Sequence, residues 1–122
     1  MIEIEDIEAF LQAARDDQIR EDRLAAIHTL TCLPLSPDAW CALAAIAVAF
    51  LRQLPASEPA FEHAVGICAR IPVWSVREFL GSIARDPDHP SSFTCAVELA
   101  RHGDAAGLQR LIDSLSKMDA EQ

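Results

Sequence analysis

The chain has 122 residues, 51% of them hydrophobic, with no tyrosine, four glycines and a formal charge of −9. That length makes one domain able to bury about two thirds of the surface its unfolded form exposes, and the apolar content excludes a disordered chain. The acidic balance, with the ten basic residues scattered along the sequence, disfavours nucleic acid and anionic membrane as partners.

Ile4, Ile7, Leu11 and Ala14 recur at helical spacing, with Glu3, Glu5, Glu8 and Arg15 off their stripe, which predicts a first helix over 3–16. The opening shows no basic region followed by an apolar run, so the expected location is the cytoplasm. Asp16 and Asp17 break the chain before a second helix over 19–33, whose inner face is Leu24, Ala26, Ile27, Leu30 and Leu33. Pro34 stops it.

Ser36-Pro37-Asp38 is a start signal for a third helix reaching about 54: the serine accepts from a free N–H, the proline suits the first position, and the aspartate meets the positive dipole end. Its residues 39–51, opened by Ala39 and closed by Leu51, hold no charge over 13 positions, too short to span a bilayer. They read as a core helix, with docking of a second copy on that helix as the alternative.

Ser57, Glu58 and Pro59 open a fourth helix that Pro72 ends near 71. Ser75-Val76-Arg77-Glu78 has the capping-box form, and Trp74 stands where it can staple onto Phe79. A fifth helix is expected over 75–85. The sixth spans about 90–102 and stops at Gly103, after which Asp104 caps a seventh reaching about 117.

Residues 58–86 and 90–118 align at a constant offset of 32: Ala64, Val65, Ile67, Phe79, Leu80 and Ile83 fall on Ala96, Val97, Leu99, Leu111, Ile112 and Leu115. With looser register, Ala26, Ile27, Leu33 and Pro34 match Ala64, Val65, Ile71 and Pro72 at an offset of 38. A period of this size marks stacked helix pairs, each covering the face its neighbour cannot bury alone. The expected fold is therefore all-α, a right-handed α-solenoid-like stack of seven helices in a single domain over 1–122: one leading helix and the pairs 19–54, 58–85 and 90–117.

Asp86-Pro87-Asp88, followed by Ala96, Leu99, Gly103-Asp104, Leu108, Leu111 and Leu115, resembles the HEAT repeat, particularly the short form of bilin-lyase-type HEAT proteins. Ser91-Ser92 stand where that pattern has Val-Arg, which removes an arginine that commonly ties adjacent repeats. The resemblance implies a bacterial-style scaffold or adaptor, with a lyase-like enzyme or enzyme accessory as the alternative.

No paired carboxylates or metal-type clusters stand out. His28 and Cys32 lie at i and i+4, but two ligands are not a site, and the four cysteines lack CxxC spacing. Cys41, in the first turn of the third helix, is the one candidate nucleophile by position, though its apolar neighbours favour a buried thiol. No metal or cofactor is implied. Exposed positions on the second helix of each pair, Arg77, Glu78, Gln109, Arg110 and Asp113, are the candidate partner-binding residues. The acidic opening, Glu3, Glu5, Asp6, Glu8, Asp16, Asp17, Glu21 and Asp22, suits docking to a basic protein. The expected function is non-catalytic protein binding by a small adaptor, with an acidic inhibitor of a basic protein as a further alternative.

Overall fold

The computed structural model describes residues 1–121, without the side chains of 106 and 118–121. It is all-helical: a 3-10 turn, Ile4–Ile7, leads into α1 (Glu8–Asp16), α2 (Arg20–Thr31), α3 (Pro37–Gln53), α4 (Pro59–Cys68), α5 (Trp74–Ala84), α6 (Ser92–Arg101) and α7 (Ala105–Glu121). Among the described residues there is no strand, only an isolated bridge between Ile2 and Leu35. Ile2 donates to the Pro34 carbonyl (2.8 Å) and accepts from the Ser36 N–H (2.8 Å). That bridge pins the N-terminus to the α2–α3 turn, which nothing in the sequence signals.

Most helix ends follow from their residues. Ser36 Oγ accepts from the Ala39 N–H at 3.2 Å, and Pro37, the first helical residue, has no N–H to satisfy. At the close of α6, Gly103 takes φ +80, and the Asp104 N–H reaches back to the Leu99 carbonyl at 2.9 Å. Only a residue free of a Cβ takes that left-handed turn cheaply. Asp104 Oδ1 then accepts from Gly107 N–H at 3.3 Å.

The start of α5 differs from expectation. Val73, extended after Pro72, is the N-cap, no side chain caps the helix, and Ser75 is already its second residue. Trp74 is 73% exposed and so does not act as a staple. Proline restricts the preceding residue and fixes the chain direction, and the helix begins as soon as Val73 O can accept from Val76 and Arg77 (3.2 and 3.3 Å).

The helices pack in two rows. α1 lies on α3, α3 on α5 and α5 on α7; in the other row α2 lies on α4 and α4 on α6. The rows are joined by α1–α2, α2–α3, α3–α4, α5–α6 and α6–α7. The core between them runs the length of the chain, from Ile7, Leu11 and Ile27 through Leu43, Leu51 and Val65 to Leu80, Cys95 and Leu99. α3 is central, burying Ala39, Leu43, Ala44, Ile46, Ala47, Phe50 and Leu51. α6 and α7 approach closely: a Cβ on Gly107 would stand 2.6 Å from Leu99 Cβ and 2.7 Å from the Ala96 carbonyl oxygen.

Candidate functional site

The outward face of α3 is paved with alanine. Ala45 and Ala49, one turn apart, are exposed while the larger α3 side chains point inward, because alanine has too little apolar area to force a helix face into the core. The short side chains leave a depression between α3 and α5 of about 690 Å³, floored by Ala45, Val48, Ala49 and Phe79 and rimmed by Arg52, Gln53, Ser75, Glu78 and Ser82. Across α3 the same Ala45, Ala49 and Gln53 border a second hollow of about 370 Å³, completed by Ala14, Arg15, Arg23, Ala42, Ile46 and Phe50. The two share one floor and form a continuous surface over α1, α3 and α5.

Arginines fix the walls. The Arg52 guanidinium lies 5.5 Å from the centre of the Phe79 ring, and Arg23 lies 5.3 Å from that of Phe50, both within cation–π range. Arg23 also donates to Gln53 Oε1 at 3.4 Å, while its Nε is buried with no partner. Three arginines against Glu78 make this surface locally basic in a chain of charge −9. Outside that lining, Glu3, Glu5, Asp6, Glu8, Asp16, Glu21 and Asp22 are exposed on the N-terminal turn, α1 and the start of α2, as are Phe10 and Ile19.

The five residues singled out from the sequence divide. Glu78 sits on the rim of the larger hollow. Arg77 donates to the His102 carbonyl at 3.3 Å, tying α5 to the end of α6. Arg110 is a structural tie: its Nε donates to the Ala84 carbonyl at 3.0 Å, one terminal nitrogen to Ser92 Oγ at 3.4 Å and the other to Ser114 Oγ. Ser92 Oγ itself donates to the same Ala84 carbonyl at 2.9 Å. Arg110 thus ties α7 to the end of α5 and the start of α6. Gln109 and Asp113 are exposed and bonded to each other at 3.0 Å. The structure does not gather the five into one site, and the alanine floor was missed because alanine reads equally well as core.

The thiols also divide. Cys68 and Cys95 are buried, and burial pushes each up to about 12, helped at Cys95 by Glu62 and Glu98; such thiols stay protonated and inert. Cys41, expected to be buried, is exposed, as are His28 and Cys32 at the end of α2. Among the described residues no three or more His, Cys, Asp or Glu side chains converge to hold a metal ion, and no described helix is long and apolar enough to cross a membrane. Comparison with family models, curated proteins and solved structures finds no match.

Proposed function

We propose that the chain is a non-catalytic protein-binding module, a right-handed HEAT-like stack of one leading helix and three helix pairs that presents the alanine-floored surface over α1, α3 and α5 to a helical segment of another protein. The packing of each helix on its next-but-one neighbour within two rows is the observation that supports this reading, because it is the contact pattern of a one-dimensional stack rather than of a bundle closed about one axis. A rigid row of helices with a shallow apolar floor and charged walls suits an amphipathic helix. The basic rim favours an acidic residue beside its apolar face. Exposed, unpaired Cys32 and Cys41 fit a reducing compartment such as the cytoplasm.

Selection of helical peptides against the intact protein, with counter-selection against Ala45→Arg/Ala49→Arg, tests the reading. The expected result is a set of peptides that shift the amide signals of Ala45, Ala49 and Phe79 and lose at least about tenfold in affinity to the double variant. Peptides that bind both proteins equally, or none at all, contradict it. A second reading, docking of a basic protein on the acidic α1 end, is favoured by the exposed Phe10 and Ile19 among those carboxylates; it requires affinity that falls steeply with salt.

A further inference from the structure

We propose that the hollow between the carbonyl ends of α4 and α6 is an oxyanion site that takes the phosphoryl group of a small phosphomonoester or of free phosphate. It lies on the row of α2, α4 and α6, not on the row of α1, α3 and α5 that carries the alanine floor. It therefore goes beyond the function proposed above without resting on it. The hollow measures about 390 Å³, and four of the seven residues that line it, His63, Arg70, Arg101 and His102, can donate hydrogen bonds to an anion.

Two helices supply these donors. His63 and Arg70 stand two turns apart along α4 and the turn that follows it, with Ile67 between them in the lining, and Arg101 and His102 close α6. α4 and α6 are neighbours in their row, so both pairs meet at one place. A helix carbonyl end stabilises a cation beside it wherever that cation points. The dipole thus accounts for basic residues at these two ends, but not for the cations of both helices lining one hollow.

The engaged and the free groups divide as such a site requires. Glu98, the one carboxylate in the lining, accepts from Arg101 Nη1 at 3.4 Å, and its side chain is 16% exposed where that of Arg101 is 70% exposed. The carboxylate is sunk beneath its partner and occupies one nitrogen, leaving Nε and the other terminal nitrogen of Arg101 able to donate. Glu62, next to His63 in the chain, accepts from the Thr94 hydroxyl at 3.1 Å and does not line the hollow. Among the described residues, the Arg70 guanidinium and the imidazoles of His63 and His102 have no hydrogen-bond, ion-pair or ring partner. On the α3 surface, by contrast, Arg23 and Arg52 lie over Phe50 and Phe79.

Charge and donor geometry select the ligand. With both imidazoles neutral, two arginines against one carboxylate leave the hollow net positive in a chain of charge −9. Guanidinium forks present paired donors, and donors on two sides of a hollow suit the three terminal oxygens of a phosphoryl group better than the two of a planar carboxylate. The acidic remainder of the chain restricts the ligand to a small one, because a polyanion reaching past the hollow meets negative surface.

Titration of the ¹⁵N-labelled intact chain with sodium phosphate and, separately, with phenyl phosphate, at neutral pH and constant ionic strength, tests the site. The expected result is saturable shifts confined to the amides of 63–70 and 98–103 with a Kd of about 1 mM or tighter, and binding of acetate at least about tenfold weaker. Arg70→Gln, which removes no side-chain contact within the protein, and Arg101→Gln should each weaken phosphate at least about tenfold. Arg70→Gln decides the matter if Arg101→Gln, by releasing Glu98, disturbs α6. Phenyl phosphate binding more tightly than inorganic phosphate assigns the site to an ester; equal or weaker binding assigns it to the free ion. Ala45→Arg/Ala49→Arg should leave both affinities unchanged, so failure of the groove and failure of this site are separable. Shifts that stay linear in phosphate concentration, match those given by acetate, or survive Arg70→Gln unchanged overturn the proposal.

Discussion

The same substitution at two helical glycines should act in opposite directions. In α4, a Cβ on Gly66 would find its nearest neighbour, Glu98 Oε1, at 3.9 Å, ordinary contact with a movable carboxylate. Gly66→Ala therefore gains helix propensity of about 0.5–1 kcal/mol with no packing penalty. In α7, a Cβ on Gly107 would meet Leu99 Cβ at 2.6 Å, the Ala96 carbonyl oxygen at 2.7 Å and the Ala100 nitrogen at 2.8 Å. Comfortable separations are about 3.5–4 Å, so α6 and α7 must part by about 1 Å along their closest approach, and two of the three obstacles are backbone that cannot rotate away. Overpacking of this kind costs about 1–3 kcal/mol. The propensity gain offsets little of it, because Gly107 lies in the first turn of its helix. Thermal unfolding followed at 222 nm should show Gly107→Ala melting roughly 4–12 °C below the parent and Gly66→Ala roughly 2–4 °C above it, on the scaling for a domain of this size. A Gly107→Ala protein as stable as the parent would refute the close α6–α7 approach.

Alkaline pH should destabilise the fold through Cys68 and Cys95. Their native values are raised to about 12 from 9.0, so the contribution is complete below pH 9 and is lost as pH climbs toward 12, by up to about 1.4 kcal/mol per pH unit for each thiol. With no tyrosine and one lysine in the chain, urea unfolding at pH 8 and 10 isolates the effect, at most about 3 kcal/mol for the two thiols together; a slope that survives in Cys68→Ala/Cys95→Ala contradicts the assignment. Arg110→Lys should cost about 1–3 kcal/mol, because an ammonium cannot reach the Ala84 carbonyl and both serines together; denaturant titration that finds no loss removes the tie between α5 and α7. Ser91→Ala should be neutral or stabilising by up to about 1 kcal/mol, since the buried Ser91 hydroxyl has no hydrogen-bond partner; a loss beyond about 1 kcal/mol would show that the hydroxyl is bonded after all.

The helices were legible because prolines and caps punctuate them. Pro34, Ser36-Pro37, Pro59, Pro72 and Gly103-Asp104 each act through local backbone geometry that the sequence states outright. Where the signal was a spacing rather than a constraint it misled: the Trp74-to-Phe79 pattern fits a staple, yet α5 begins one residue early and the indole points to solvent. On α3 the apolar contrast is too weak to orient the helix, so exposed Cys41, Ala45 and Ala49 were indistinguishable from core, and with them the floor of the groove. Arg77 and Arg110 read as free charges because their partners are backbone carbonyls, at His102 and Ala84, and no side-chain type marks those positions. The exposed stripe on α7, Leu108, Ile112 and Leu115, was hidden by its similarity to α5, whose matching residues are buried.

The stacked arrangement is tested most directly by methyl-resolved nuclear Overhauser contacts in the intact protein. The account predicts contacts linking α1 to α3, α3 to α5 and α5 to α7, a parallel series through α2, α4 and α6, and none joining α1 or α2 to α7. Contacts between the α1 methyls and those of Leu108, Ile112 or Leu115 would mean that the chain closes on itself, and the groove would be lost with that result.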